Sequence, residues 1–364
     1  MIIIFGAGII GLSLGYELLR RGKKIKIFDT KTVKARSSLA SVGMLAPLIE
    51  AKPQEKELFD LMIESKKIWD EYQNNLTLSS LIGLKNNNSL MIALNNDDKE
   101  RLKFKKKFFA RLGYKTPILD ANETLDLEPN LNSNIVASLL CSGHDQVNPM
   151  LFEKYLVREI QRLGGEIIYE EGINKISLRN KQVFFNNQSL DFEKIVISCG
   201  SWSGELIYNS FGLKVPIRPL KGISLNIKST TFDFSHNLWF RNIYIAPRGQ
   251  GVFSIGATED ERGYDSTIKM DELFFLINSL WESLPKLEDL ELDEIKVGLR
   301  PAIYDGYPVL GPLEKASSDI ICNFGHYRNG ILLAPITTKI ICKYIFEERI
   351  SANYKFFSPR RFNL

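Results

Sequence analysis

Histidine and cysteine are scarce in this chain. Its 364 residues include three histidines, at 144, 236 and 326, and four cysteines, at 141, 199, 322 and 342. No CxxC spacing and no paired His/Cys ligand pattern occurs, so no structural or catalytic metal is expected. A chain this long can bury a core without disulfide staples, and so few cysteines point to a reducing compartment. An excess of one charge is also missing: 47 basic and 43 acidic residues leave a formal +4, which gives no basic face for nucleic acid or a membrane surface. The lysines of the 103–107 run read as the solvated face of a helix. The one long, nearly uncharged stretch is Met1 to Leu19, where Glu17 is the only charge. Basic residues follow that stretch instead of preceding it, and Gly6, Gly8, Gly11 and Gly15 interrupt it. This suits a strand, a tight turn and a helix better than a signal peptide or a membrane span. A cytoplasmic protein is expected, and 44% hydrophobic with 25% charged residues is the balance of a globular chain with a sizeable core.

What is present begins at the first residue. Met1 to Phe5 is a continuous apolar run, as expected of a parallel strand covered on both faces. Gly6-Ala-Gly8-Ile9-Ile10-Gly11 follows. In that spacing the first glycine permits the turn, the second lets backbone approach a pyrophosphate, and the third lets the helix pack on the strand. The next segment has helical apolar spacing, with Arg20 and Arg21 near its end and Gly22 as cap. A second strand, Lys24 to Phe28, ends at Asp29, eighteen residues after Gly11, where an acid can accept hydrogen bonds from ribose hydroxyls. A purely structural βαβ unit is the alternative. Asp29 disfavours the extra phosphate of NADP but does not choose between NAD and FAD.

Farther along, Lys31 to Pro47 reads as a loop of small and polar residues, with an amphipathic helix over about Gln54 to Asn75 after it. The strand Leu90 to Leu94, the helix 98–112 and the strand Val136 to Leu140 belong to a different unit. Asn148 as cap with Pro149 at the first helical position starts a helix to Leu163, followed by a strand Glu166 to Tyr169. Ile195 to Gly200 reads as another buried strand ending in a glycine turn. Pro216 to Thr258 is β-rich, with strands near 222–228, 242–247 and 252–256. A strand Ile320 to Phe324 leads through a turn into a last helix over about Gly330 to Phe346. The fold expected is α/β: a Rossmann-like domain from 1–82, 146–215 and 299–364, interleaved with a smaller α+β substrate domain from 83–145 and 216–298 that holds a largely antiparallel sheet.

Four separated stretches resemble the D-amino-acid-oxidase superfamily of flavoproteins, and within it the glycine oxidases of the ThiO type. They are Gly6 to Gly11, Ser41 to Pro47, Gly298 to Pro301 with Asp305 to Pro312, and Gly325 to Pro335. The resemblance implies FAD, with its ADP half on Gly6, Gly8, Ile9, Ile10, Gly11, Asp29 and Thr30. It adds contacts from Ser37, Ser38, Val42, Gly43 and Met44, with Ile173 near the adenine and Gly200 beside the cofactor. His326, Tyr327, Arg328, Asn329, Gly330, Ile331 and Leu332 would surround the pyrimidine side of the flavin, where a helix start can stabilise negative charge. No cysteine follows Pro312 closely, so the FAD is expected to be noncovalent.

By the same resemblance Arg300 pairs with a substrate carboxylate, Tyr244 adds a hydroxyl to it, and Arg328 lines the pocket. A planar guanidinium suits that grip. Arg300 as a turn arginine before Pro301, and Tyr244 as strand packing, are the bland alternatives. No protein base is implied, because the family passes hydride from substrate to flavin; His326 is read as a turn histidine making backbone hydrogen bonds. Asn242 stands where some relatives have histidine. The activity implied is oxidation of a small amino acid, such as glycine to glyoxylate and ammonia through the imine, with dioxygen reduced to hydrogen peroxide. Service to thiamine thiazole synthesis, a thiazole synthase partner and a homo-oligomer are implied with it. A flavin dehydrogenase with another electron acceptor, an idle flavin-binding partner and a nicotinamide dehydrogenase are the competing readings.

Overall fold

A computed structural model describes all residues except 31–34, 171, 174, 187 and 285–288. The opening run forms the strand Ile2–Phe5, all four residues buried. It sits inside a six-stranded sheet ordered Val309–Leu313, Ser317–Phe324, Lys194–Ile197, Ile2–Phe5, Ile25–Thr30, Glu166–Glu170. All pairs are parallel except the one at the Val309–Leu313 edge. Both faces are covered. Ile2 and Ile4 join a core with the helices Ile9–Arg20, Lys56–Asn74 and Gly330–Ile345, while Ile3 and Phe5 meet Phe28, Phe185 and Leu206 on the other side. Two-sided burial is why this strand is an unbroken apolar run.

The second sheet has eight strands, ordered Leu290–Ile303, Ile217–Ser229, Val252–Gly256, Tyr244–Gly249, Asn237–Trp239, Ser89–Ala93, Ala137–Cys141, Ile118–Asp120. It is antiparallel except where Asn237–Trp239 pairs with Ser89–Ala93. Leu276 and Leu280 of the helix Met270–Ser283 pack on one of its faces against Ile223, Leu225 and Ile255. A Rossmann-like sheet beside a largely antiparallel one is the α/β architecture expected, and each sheet draws strands from separated stretches of chain. The strand Leu290–Ile303 pairs along its length with Ile217–Ser229 and runs through the expected 298/299 boundary, so residues 299–303 continue the antiparallel sheet there.

Local signals act as the chemistry requires. The Asn148 side chain accepts from the N–H groups of Met150 at 3.1 Å and Leu151 at 3.3 Å, with Pro149 first in the helix Pro149–Arg162. Pro335 lies inside the last helix, and the carbonyl of Leu332 in the preceding turn accepts from Trp69 Nε1 at 3.0 Å and Ser65 Oγ at 2.5 Å. These bonds fix the start of that helix against Lys56–Asn74. One expectation is corrected: within Lys31 to Pro47, Ser37–Ala40 is a helical turn and Met44–Leu45 is a strand paired with Asp145–Gln146, while 31–34 lie outside the described residues. Small side chains gave that stretch no periodicity from which to read either element. No helix among the described residues is long and apolar enough to cross a membrane.

Candidate active site and cofactor cradle

One cavity of about 540 Å³ is lined at one end by the first strand–turn–helix and at the other by strands of the antiparallel sheet. The three glycines of the opening turn have different surroundings. Gly6 has φ +110°, and a Cβ there would overlap the carbonyl of Ser198; a Cβ on Gly11 would overlap the carbonyl of Gly6. Gly8 lines the cavity, and a Cβ on it would meet only Ser38 Oγ, at 3.4 Å. Two glycines therefore allow close packing, and the third leaves open space at a helix N-terminus, where an anion is favoured.

The nearby polar groups are tied to backbone. Asp29 accepts from the N–H of Ala7 on Oδ2 and of Thr30 on Oδ1, each at 2.8 Å. Each oxygen retains accepting capacity for a ribose hydroxyl. Ser38 Oγ accepts from Ile9 N at 3.0 Å, and the Ser37 hydroxyl donates to the carbonyl of Leu299. Arg36 donates to the carbonyl of Ala7 and pairs with Glu153 at 3.1 Å, and burial pushes the Glu153 carboxyl up.

At the other end, Arg300 Nη1 donates to the carbonyls of Thr258 at 3.0 Å and Lys221 at 3.3 Å. Those described bonds orient the guanidinium but leave its charge without a carboxylate. A Cβ on Gly222 would overlap that guanidinium, so the glycine on the neighbouring strand gives the arginine its place. Gly222→Ala should therefore imitate loss of Arg300, raising KM for the substrate while flavin content and folding stay normal. A visible spectrum and a substrate titration check this, and an unchanged KM would contradict it. Tyr244 stands over Gly256, whose added Cβ would approach the ring to 2.7 Å, and lies against Trp239 at 4.9 Å between centroids.

Arg328 is already answered. Its Nε lies 3.1 Å from Glu50, and this carboxylate holds its pKa above the ordinary value. The Tyr327 hydroxyl donates to Glu259, which is also 4.0 Å from Arg328. Tyr264 packs on Trp202 with centroids 5.8 Å apart and donates to the carbonyl of Ser201 at 3.0 Å, so its segment covers part of the cavity.

His326 is buried, its backbone carbonyl accepts from Asn329 N at 3.0 Å, and its Nε2 has no partner among the described residues. Ser198 Oγ and both amide atoms of Asn323 are likewise unpartnered, and all three residues line the cavity. Buried polar atoms are normally satisfied, so this set fits a bound group carrying both donors and acceptors. Burial also pushes His326 and His144 down to about 3. An unfolded histidine protonates near pH 6.5. Between roughly 6.5 and 3 the unfolded chain thus binds more protons, so these residues' contribution to stability is complete above that window and is lost as pH falls through it. The urea midpoint should be lower at pH 5 than at pH 7, and equal midpoints would contradict this.

Of the residues expected at the site, Gly6, Gly8, Ile9, Ile10, Asp29, Thr30, Ser37, Ser38, Ile173, Gly200, Tyr244, Arg300, His326, Tyr327, Arg328, Gly330 and Ile331 line this one cavity. Gly11, Val42, Gly43, Met44, Asn329 and Leu332 are not among its lining residues. Val42 and Gly43 are held from behind through Arg248 and Val147, and Met44 pairs with Gln146. Sequence reasoning missed Arg36, Gly222, Asn323 and Glu50. Only Gly222 carried a usable signal, a glycine inside an expected strand, which often marks a close approach.

The profile of the FAD dependent oxidoreductase family matches residues 1–344. The chain belongs to that family. FAD is its cofactor, and the glycine cradle, Asp29 and the unpartnered atoms of Ser198, Asn323 and His326 suit it. The chain is 26% identical to a glycine oxidase of Bacillus subtilis over 356 residues, covering 97% of this chain and 94% of that protein. It is 28% identical over 374 residues to a bifunctional protein ThiO/ThiG of Trichormus variabilis, covering 99% of this chain but 55% of that protein. The crystal structure of glycine oxidase from Geobacillus kaustophilus superposes with a TM-score of 0.89 at 23% identity, covering 98% of this chain and 97% of that one.

Proposed function

We propose that this FAD-dependent enzyme oxidises a small amino acid, glycine above all, to its imine. Hydrolysis then gives glyoxylate and ammonia, and dioxygen is reduced to hydrogen peroxide. The observation that carries the reading is Arg300: a fixed guanidinium with no carboxylate partner among the described residues, in the same cavity as the dinucleotide cradle.

Noncovalent FAD, when bound, supplies the hydride acceptor. The ADP half would be held by Gly6, Gly8, Ile9, Ile10 and Asp29-Thr30, with Ser37, Ser38, Ile173 and Gly200 beside it, while Gly11 and Val42 to Met44 would support that cradle from outside the cavity lining. His326 to Arg328, Gly330 and Ile331 would flank the flavin, with Asn329 and Leu332 behind them, and the neutral His326 would offer Nε2 for a hydrogen bond without adding charge.

Arg300 and Tyr244 receive the substrate carboxylate, so the amine-bearing carbon is oriented before reaction, which removes part of the barrier in advance. Glu50 largely cancels the charge of Arg328, leaving that residue to shape the pocket instead of drawing in a second carboxylate. The Trp202–Tyr264 cover limits water during transfer. In the cell, the imine would supply a thiazole synthase. The ThiO/ThiG relative supports this, because the matched part is about half of a longer protein.

An amino-acid panel with amine and peroxide both measured tests the proposal. Glycine consumption with equal peroxide is expected. Consumption without peroxide would move the electrons to a quinone or protein acceptor, and no bleaching of flavin by anaerobic glycine would overturn the substrate assignment.

A further inference from the structure

The helix Met270–Ser283 has two apolar faces. One, with Leu276 and Leu280, is buried on the antiparallel sheet. The other carries Met270, Phe274, Ile277 and Trp281, which are 79%, 70%, 50% and 63% exposed. Single exposed apolar residues are ordinary, but four large ones on one helical stripe mark a contact surface.

The steps between them are four, three and four residues, the spacing of a coiled-coil seam. That spacing reads the same in both directions. We propose that a second copy of this chain covers the stripe, with the two helices antiparallel about a twofold axis centred between Phe274 and Ile277. Met270 then meets Trp281 of the other copy, and Phe274 meets Ile277, so every residue of the seam finds an apolar partner and the contact is isologous. Methionine on an aromatic ring is a favourable pair.

Size supports the occupant. Scaling the roughly 150–250 Å² that an aromatic side chain buries by these exposures gives on the order of 500 Å² per copy, and slightly smaller side chains do not change that. The pair then buries about 1,000 Å², where specific interfaces begin. Asp271 and Glu282 flank the stripe, which disfavours an anionic lipid surface. In the antiparallel pair Asp271 of one copy lies near Glu282 of the other. Arg262, 2.8 Å from Asp271, offsets only part of that repulsion.

The test is sedimentation of the FAD-loaded protein across a concentration series. Wild type should associate into dimers or an even-numbered assembly. Phe274→Asp and, separately, Trp281→Ser should lower the assembly to half its size or less with flavin absorbance retained, which serves as the check on folding. Glu282→Lys, which leaves the seam intact and replaces a repulsion by an attraction, should tighten association several-fold. A wild-type monomer at every concentration, seam variants that associate normally, or Glu282→Lys that weakens association would each overturn the proposal. So would wild-type flotation with phosphatidylserine vesicles that the seam variants lose, which would assign the stripe to a membrane.

Discussion

Replacing Arg300 with alanine should raise KM for glycine by at least about thirtyfold, and by thousands at the upper end. These bounds correspond to the 2–5 kcal/mol lost when one partner of a buried, hydrogen-bonded charge pair is removed. The guanidinium is already positioned by the carbonyls of Thr258 and Lys221, so a substrate carboxylate need not organise it. Arg300→Lys should fall between wild type and alanine, because an ammonium restores charge but not the planar fork. Flavin content should not change in either variant. An alanine variant with wild-type KM would remove the carboxylate role and with it the amino-acid assignment.

Gly11→Val should yield protein that is insoluble or colourless. Its side chain would overlap the Gly6 carbonyl, a backbone atom that cannot rotate away, so strand and helix must separate. Overpacking costs about 1–3 kcal/mol even where side chains can adjust, out of a total stability of roughly 5–15 kcal/mol. Gly8→Ala should behave differently. Its Cβ meets only the Ser38 hydroxyl at 3.4 Å, so the chain should fold normally but bind FAD more weakly, because the methyl occupies space at the cradle. Flavin absorbance and thermal unfolding, measured together, separate the outcomes. A yellow, stable Gly11→Val protein would show that the close packing at this turn is dispensable.

The sequence made the Rossmann half legible for a physical reason: parallel strands buried on both faces are uninterrupted apolar runs, and the turn between strand and helix needs glycine at fixed places. Much of the cavity lining could also be read, through resemblance in the last turn before Gly330–Ile345. The helix Met270–Ser283 was not read. Phe274, Phe275, Leu276 and Ile277 run consecutively in it, which hides the period, and a second apolar face is what produces such a run. Glu50 and Asn323 were invisible for another reason. Glu50 lies far along the chain from Arg328 and nothing local marks it, whereas Asn323 sits inside the buried strand Ser317–Phe324, three residues before His326, where a role at the cavity could not be told from strand packing.

Lys221 joins two of these regions. Its fully buried ammonium lies 2.8 Å from Glu272 on the inner side of the helix Met270–Ser283, and its carbonyl holds Arg300. The residue whose carbonyl holds Arg300 therefore also anchors the helix whose outer face carries the exposed apolar stripe. Any force that tilts or rotates that helix acts on one end of a single residue whose other end orients the guanidinium. If Arg300 takes the proposed carboxylate role, a change in the packing of that helix should be felt in substrate affinity through Lys221.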